Sequence, residues 1–144
     1  MENTVQKLNL YWGEIHTHTF CFGPKPYGTL EDAAEVARSH LDFWAAAEHY
    51  NYTDGQKHHP FFDWGKISRV MKENYKPGKF VTFPAFEFIG DETDYNTYFD
   101  KDISSLPEIS NQEELFAFAR KEQAIVIPHH IGYKVGSRGM NWRK

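Results

Sequence analysis

The sequence predicts an α/β domain built as a partial or distorted β/α barrel that lacks its C-terminal strands. Three observations predict it. Short strand-like runs alternate with amphipathic helical stretches, a pattern that implies parallel β/α units. One run, residues 41–47, is apolar except for Asp42, as a strand buried on both faces is. Five such strands and three helices in 144 residues are too few to close an eight-fold barrel of about 250 residues.

Residues 10–15 read as the first strand, and His16 to Phe22 lead into a loop with Gly23, Pro24 and Pro26. Thr29 is the expected N-cap of the first helix, with Asp32 three residues on and Ala33, Ala34, Val36 and Ala37 as its apolar stripe. Residues 41–47 read as the second strand, apolar except for Asp42. A polar loop over 50–60 contains His58 and His59, expected to face solvent, with lining of the mouth as the alternative. The second helix is expected over 61–75, with Phe62, Ile67, Val70 and Met71 turned inward and Pro77-Gly78 stopping it. Residues 79–88 read as the third strand and 96–99 as a short fourth. Ser110 is expected to cap the third helix through Arg120, with Glu113 completing a capping box. Residues 124–127 read as the fifth strand. The chain stops at Trp142-Arg143-Lys144 in a loop-like stretch. The expectation is a single domain over 1–144, an N-terminal fragment of a longer barrel, completed by a further segment or by an oligomeric partner.

Composition narrows the function. The net charge is −4 and no run of Lys or Arg exceeds two residues, so no nucleic-acid partner is expected. A small phosphorylated substrate stays open, because a metal can supply the local positive charge. The single cysteine, Cys21, excludes an internal disulfide and a CxxC zinc knuckle and fits a cytoplasmic setting. No window approaches the roughly eighteen apolar residues of a membrane span. GxxxxGK[ST], GxSxG, HExxH and GxGxxG are all missing, so nucleotide-loop, serine-hydrolase, zincin and dinucleotide readings have no motif behind them.

The chemistry-bearing residues follow the strands. His16 and His18 stand at i and i+2 of an extended segment, so both imidazoles point to one side. Glu48 and His49 end the second strand, Glu87 comes near the end of the third, and His129 and His130 follow the fifth. In a parallel β/α sheet all C-terminal strand ends share one face, where ligands gather. Taken singly, a Glu between two Phe is an edge residue and His130 a core histidine. Four coincidences at four equivalent positions are harder to credit. Neutral imidazoles and carboxylates suit zinc, manganese or iron.

Tyr11-Trp12-Gly13-Glu14-Ile15-His16-Thr17-His18 is similar to the first motif of the PHP (polymerase and histidinol phosphatase) superfamily, a strand ending in His-x-His. Leu41-Asp42-Phe43 with Ala47-Glu48-His49 resembles the second motif, and Phe83-Pro84-Ala85-Phe86-Glu87 the third. Ile127-Pro128-His129-His130 looks like the Pro-His-His segment of a larger branch of these proteins. The resemblance implies a distorted, TIM-like barrel with two or three divalent ions at its mouth. It implies that His16 and His18 bind one ion and that Glu87 bridges to a second, for which His129 is the first choice and His130 the substitute. His49 would serve a third ion or orient a ligand, with Glu48 orienting His49 in turn. Asp94 stands where the related branch has a His two residues before an Asn, here Asn96, and is a candidate ligand. Glu48 replaces the usual Asp, and the late Asp-x-His motif has no counterpart.

The function so implied is metal-dependent hydrolysis of a phosphate ester, with a metal-activated water as nucleophile. Glu48 or His49 would move the proton; from their chemistry, Lys134 and Arg138 are either receivers of an anionic substrate group or ordinary surface charges. The competing reading is a non-catalytic metal-binding or partner-binding module.

Overall fold

Helix and strand signals in this chain are strong where a cap or a buried stripe supports them. The computed structural model describes residues 8–19, 28–51, 58–90 and 93–130. In chain order it contains β1 (Gly13–Thr17), α1 (Leu30–His40), β2 (Phe43–His49), α2 (Trp64–Asn74), β3 (Val81–Thr82), β4 (Ala85–Ile89), β5 (Asp94–Tyr98), α3 (Gln112–Glu122) and β6 (Ile125–His129). None of the described helices is long and apolar enough to cross a membrane.

Thr29 caps α1 as its sequence implies: its side chain accepts from the Asp32 N–H, and the Asp32 carboxylate accepts from the Thr29 N–H. Leu30, Ala34 and Ala37 are buried at i, i+4 and i+7. Val36, expected in that stripe, is exposed, because it stands two residues, or about 200°, from Ala34 on the helix surface. Asp63 caps α2, whose Ile67, Val70 and Met71 are fully buried. The cap of α3 is Asn111, one residue past the expected Ser110, and Glu114 takes the place expected for Glu113.

The sheet runs β1-β2-β4-β5-β6, with β3 also beside β2. The expected third strand is thus two pieces, β3 and β4, which keep one register along β2. The break falls at Phe83-Pro84, where proline has no N–H for the ladder. Asp42, the lone polar residue of its run, precedes β2, and its carboxylate accepts from the Trp12 N–H at 2.8 Å. That contact anchors the segment leading into β1.

The alternation of strands and helices implied parallel units throughout. The strands are not all parallel: β5 is antiparallel to both β4 and β6. Only four residues separate β4 from β5, far short of the dozen or more that a parallel crossover requires. Gly90 makes the turn possible, since a Cβ there would lie 2.7 Å from the Thr93 carbonyl oxygen. Reversal brings the start of β5, Asp94, to the rim where β4 and β6 end.

On one face of the sheet Trp44, Ala46, Phe86 and Phe88 pack with Leu30, Ile67, Met71 and Leu115 of the three helices. The other face carries Ala45, Ala47, Ala85 and Tyr98. On a flat sheet β1 and β6 would stand roughly 19 Å apart, four strand spacings. Yet the ring of His16 on β1 stacks on that of His129 on β6 at 3.8 Å, and the Tyr98 hydroxyl of β5 donates to the Ile15 carbonyl of β1 at 3.1 Å. The sheet is therefore curled about its alanine-lined face, a mixed α/β arrangement compatible with part of a barrel.

At the start of β1 an added Cβ on Gly13 would come within 2.2 Å of the Phe43 ring. Gly13→Ala is expected to cost about 1–3 kcal/mol. Urea unfolding of the chelator-treated protein measures it, and Phe43→Ala in the same chain should recover part of the loss.

Candidate metal centre

Strand-end placement and the curl together bring seven titratable side chains to one point. The register shifts between Glu14 and Thr17 of β1, an irregularity around Ile15 and His16 of the kind that re-aims a side chain. His16 and His18 then face each other, with their Nε2 atoms 2.9 Å apart. From β2, His49 points to the same side, and from β4 comes Glu87, its register partner.

Glu87 is the hub. It is fully buried, and its Oε2 lies 3.0 Å from His49 Nε2, 3.1 Å from His18 Nε2 and 3.7 Å from His16 Nε2. Its Oε1 faces His129 Nε2 at 4.0 Å. Neither carboxylate oxygen accepts a hydrogen bond of good geometry among the described residues. A buried carboxylate without aligned donors is costly, and several ring nitrogens gathered on one oxygen suit a shared cation better than a proton.

Three overlapping groups result: His16, Glu87 and His129; His18, His49 and Glu87; and Glu87, Asp94 and His130. Within each group the ligand atoms lie within 4.8 Å of one another. These clusters could hold a metal ion, and Glu87 belongs to all of them. In the third group His130 Nδ1 is 2.7 Å from Asp94 Oδ2. His130 adopts a left-handed backbone (φ 57°), unusual for a non-glycine residue and frequent at functional sites. Neighbouring strand residues normally point to opposite faces; the turn at His130 instead puts its ring centroid 3.7 Å from that of His129.

Electrostatics keep the donors ready. Burial pushes the Glu87 carboxyl up, but the imidazoles of His18 and His49, and then His16, outweigh it and hold it well below the usual carboxylate range. Burial lowers His16, with Glu87 opposing. Burial, followed by repulsion from His16 and His130, brings His129 down to about 4. Bare imidazoles are the form that binds metals. The folded chain thus takes up a proton at His129 less readily than the unfolded chain. Its contribution to stability is present above the ordinary value of 6.5 and is lost as pH falls toward about 4. The urea midpoint of metal-free protein should fall across that window, and His129→Gln should flatten part of the fall.

Glu48 stands elsewhere. Alternation along β2 places it on the helix side, fully buried, where its Oε1 accepts from both the N–H and the hydroxyl of Thr19. Its Oε2 is 4.0 Å from His18 Nδ1. These contacts make Glu48 an anchor for Thr19, the residue next to His18. His59, expected in solvent with the mouth as the alternative, is buried, with its ring 6.0 Å from that of His49 and its Nδ1 accepting from the Phe61 N–H. Lys134, Arg138 and Cys21 lie outside the described residues.

Asn96, in the sequence only a landmark beside Asp94, belongs to the centre as well. It is two residues from Asp94, directly opposite Glu87 in the ladder, and its side-chain amide lies 2.6 Å from His16 Nδ1. The period-two pattern that selected Asp94 selects Asn96 equally. Compared with known proteins, the chain matches no family model and no curated protein, so its centre is described by geometry and donor chemistry.

Proposed function

We propose that this protein is a metal-dependent hydrolase of phosphate esters, the activity implied by its resemblance to the PHP superfamily. One observation carries the reading: the Nε2 atoms of His16, His18 and His49 all lie within 3.7 Å of a single buried oxygen of Glu87. Imidazole nitrogens and a carboxylate are the donor set of zinc, iron and manganese. His16 and His129 would hold one ion and His18 and His49 another, with Glu87 common to both. Cations bound there supply an acidified water and the positive charge that phosphoryl oxygens need.

The chain's own residues do the rest. Glu87, held ionised, offsets cationic charge without competing for protons. Asp94 accepts from His130 and fixes the direction of that ring. This makes the pair suited to pass a proton to the departing alkoxide oxygen. A chain of net charge −4 then recognises an anionic ester through its ions rather than through a basic surface.

Protein loaded in turn with zinc, manganese and iron(II) should release phosphate from at least one member of a broad ester panel, and chelation should stop the release. Elemental analysis of the same samples gives the ion count. Bound metal with no release on any ester would sink the hydrolase reading and leave a metal-binding or partner-binding module. No bound metal would sink both.

A further inference from the structure

We propose that Asn96 selects the tautomer of His16, holding the proton on Nδ1 so that Nε2 is bare for a metal. The inference rests on the metal-binding reading of the centre and adds a positioning residue to it. A neutral imidazole carries one proton, and the nitrogen that binds a metal is the other one. In His16 the nitrogen facing the centre is Nε2, 2.9 Å from His18 Nε2 and 3.7 Å from Glu87 Oε2. The proton therefore belongs on Nδ1, and an N–H in this half-buried ring needs an acceptor.

The only side chain found at His16 Nδ1 among the described residues is Asn96, at 2.6 Å. As placed, its Nδ2 meets that nitrogen, while its Oδ1 is buried and has no hydrogen-bond partner among the described residues. The two ends of an amide are told apart by their partners. A half turn about the Cβ–Cγ bond puts Oδ1 on Nδ1–H, which gives the orphaned oxygen a donor and bares Nε2. With the amide in the other sense, Nδ1 is the acceptor and the proton moves to Nε2, where it blocks the metal. The Glu87↔Asn96 ladder pairing holds the Asn96 backbone in place, and the buried Oδ1 without a partner among the described residues favours the sense that bares Nε2.

The experiment uses zinc as probe. Affinity is measured by competition with a chelating dye for wild type, Asn96→Leu and Asn96→Asp, alongside ¹⁵N imidazole spectra of zinc-loaded wild type. Loss of such a supporting partner weakens metal binding by about 10–100-fold, and that loss is expected for Asn96→Leu. Asn96→Asp, an acceptor that needs no turn, should bind zinc at least as tightly as wild type. The spectra should show the His16 proton on Nδ1. Asn96→Leu within threefold of wild type, Asn96→Asp weaker than wild type, or a proton on Nε2 in the loaded protein would each overturn the proposal. Should Asn96→Leu fail to fold, the Asp variant and the wild-type spectra decide. Wild type that binds no zinc overturns the metal reading and this proposal with it, whereas tight wild-type binding beside an indifferent Leu variant overturns only the role of Asn96.

Discussion

Zinc or manganese added to chelator-treated protein is expected to raise its thermal unfolding midpoint by about 10 °C. The cause is the state of Glu87 without a cation: fully buried, ionised, and lacking a well-aligned donor among the described residues. A ligand that binds only the folded chain stabilises it by about 2.7 kcal/mol when present at a hundred times its dissociation constant. For a domain of this size each kcal/mol moves the midpoint by about 3–4 °C. Scanning calorimetry with EDTA and then with metal measures the shift, and magnesium serves as the contrast, since it prefers oxygen ligands and holds its water tightly. A midpoint indifferent to zinc and manganese would remove the metal centre from consideration.

Glu87→Ala should do more damage than any single histidine change. Because Glu87 belongs to all three groups, its removal takes a ligand from each at once, and the loss of affinity should exceed the roughly hundredfold ceiling of supporting-residue changes. His129→Ala, by contrast, removes a member of one group only, and the ion count should fall by one. Elemental analysis after dialysis separates the two results. Glu87→Gln keeps the shape and removes the charge, so it tests whether the carboxylate acts by bridging or by filling space. If Glu87→Ala retains its full complement of metal, the hub assignment is wrong.

Much of this was legible in the sequence, for local reasons. The Thr29–Asp32 cap and the Ile67, Val70 and Met71 stripe are short-range signals, and both appear where the residues place them. The histidines and Glu87 were legible because strand ends follow from apolar runs, and strand ends in such sheets share a rim. What escaped depends on chain direction and on partners far away in sequence. The reversal of β5 was encoded in the shortness of its connection to β4 and was hidden by the expectation of parallel strands. Glu48 went to the opposite side from His49 by simple alternation, yet its partner Thr19 lies 29 positions earlier. His59 is buried through its backbone tie to Tyr50, and no pattern in a polar loop announces such a contact.

The meeting of His16 with His129 joins the two outermost strands of an otherwise open sheet. Whatever ties those rings together acts as a clasp between the two margins, and peeling either strand away undoes it. Hydrogen exchange at β1 and β6 should therefore slow in concert when the clasp is fastened, although neither strand pairs with the other.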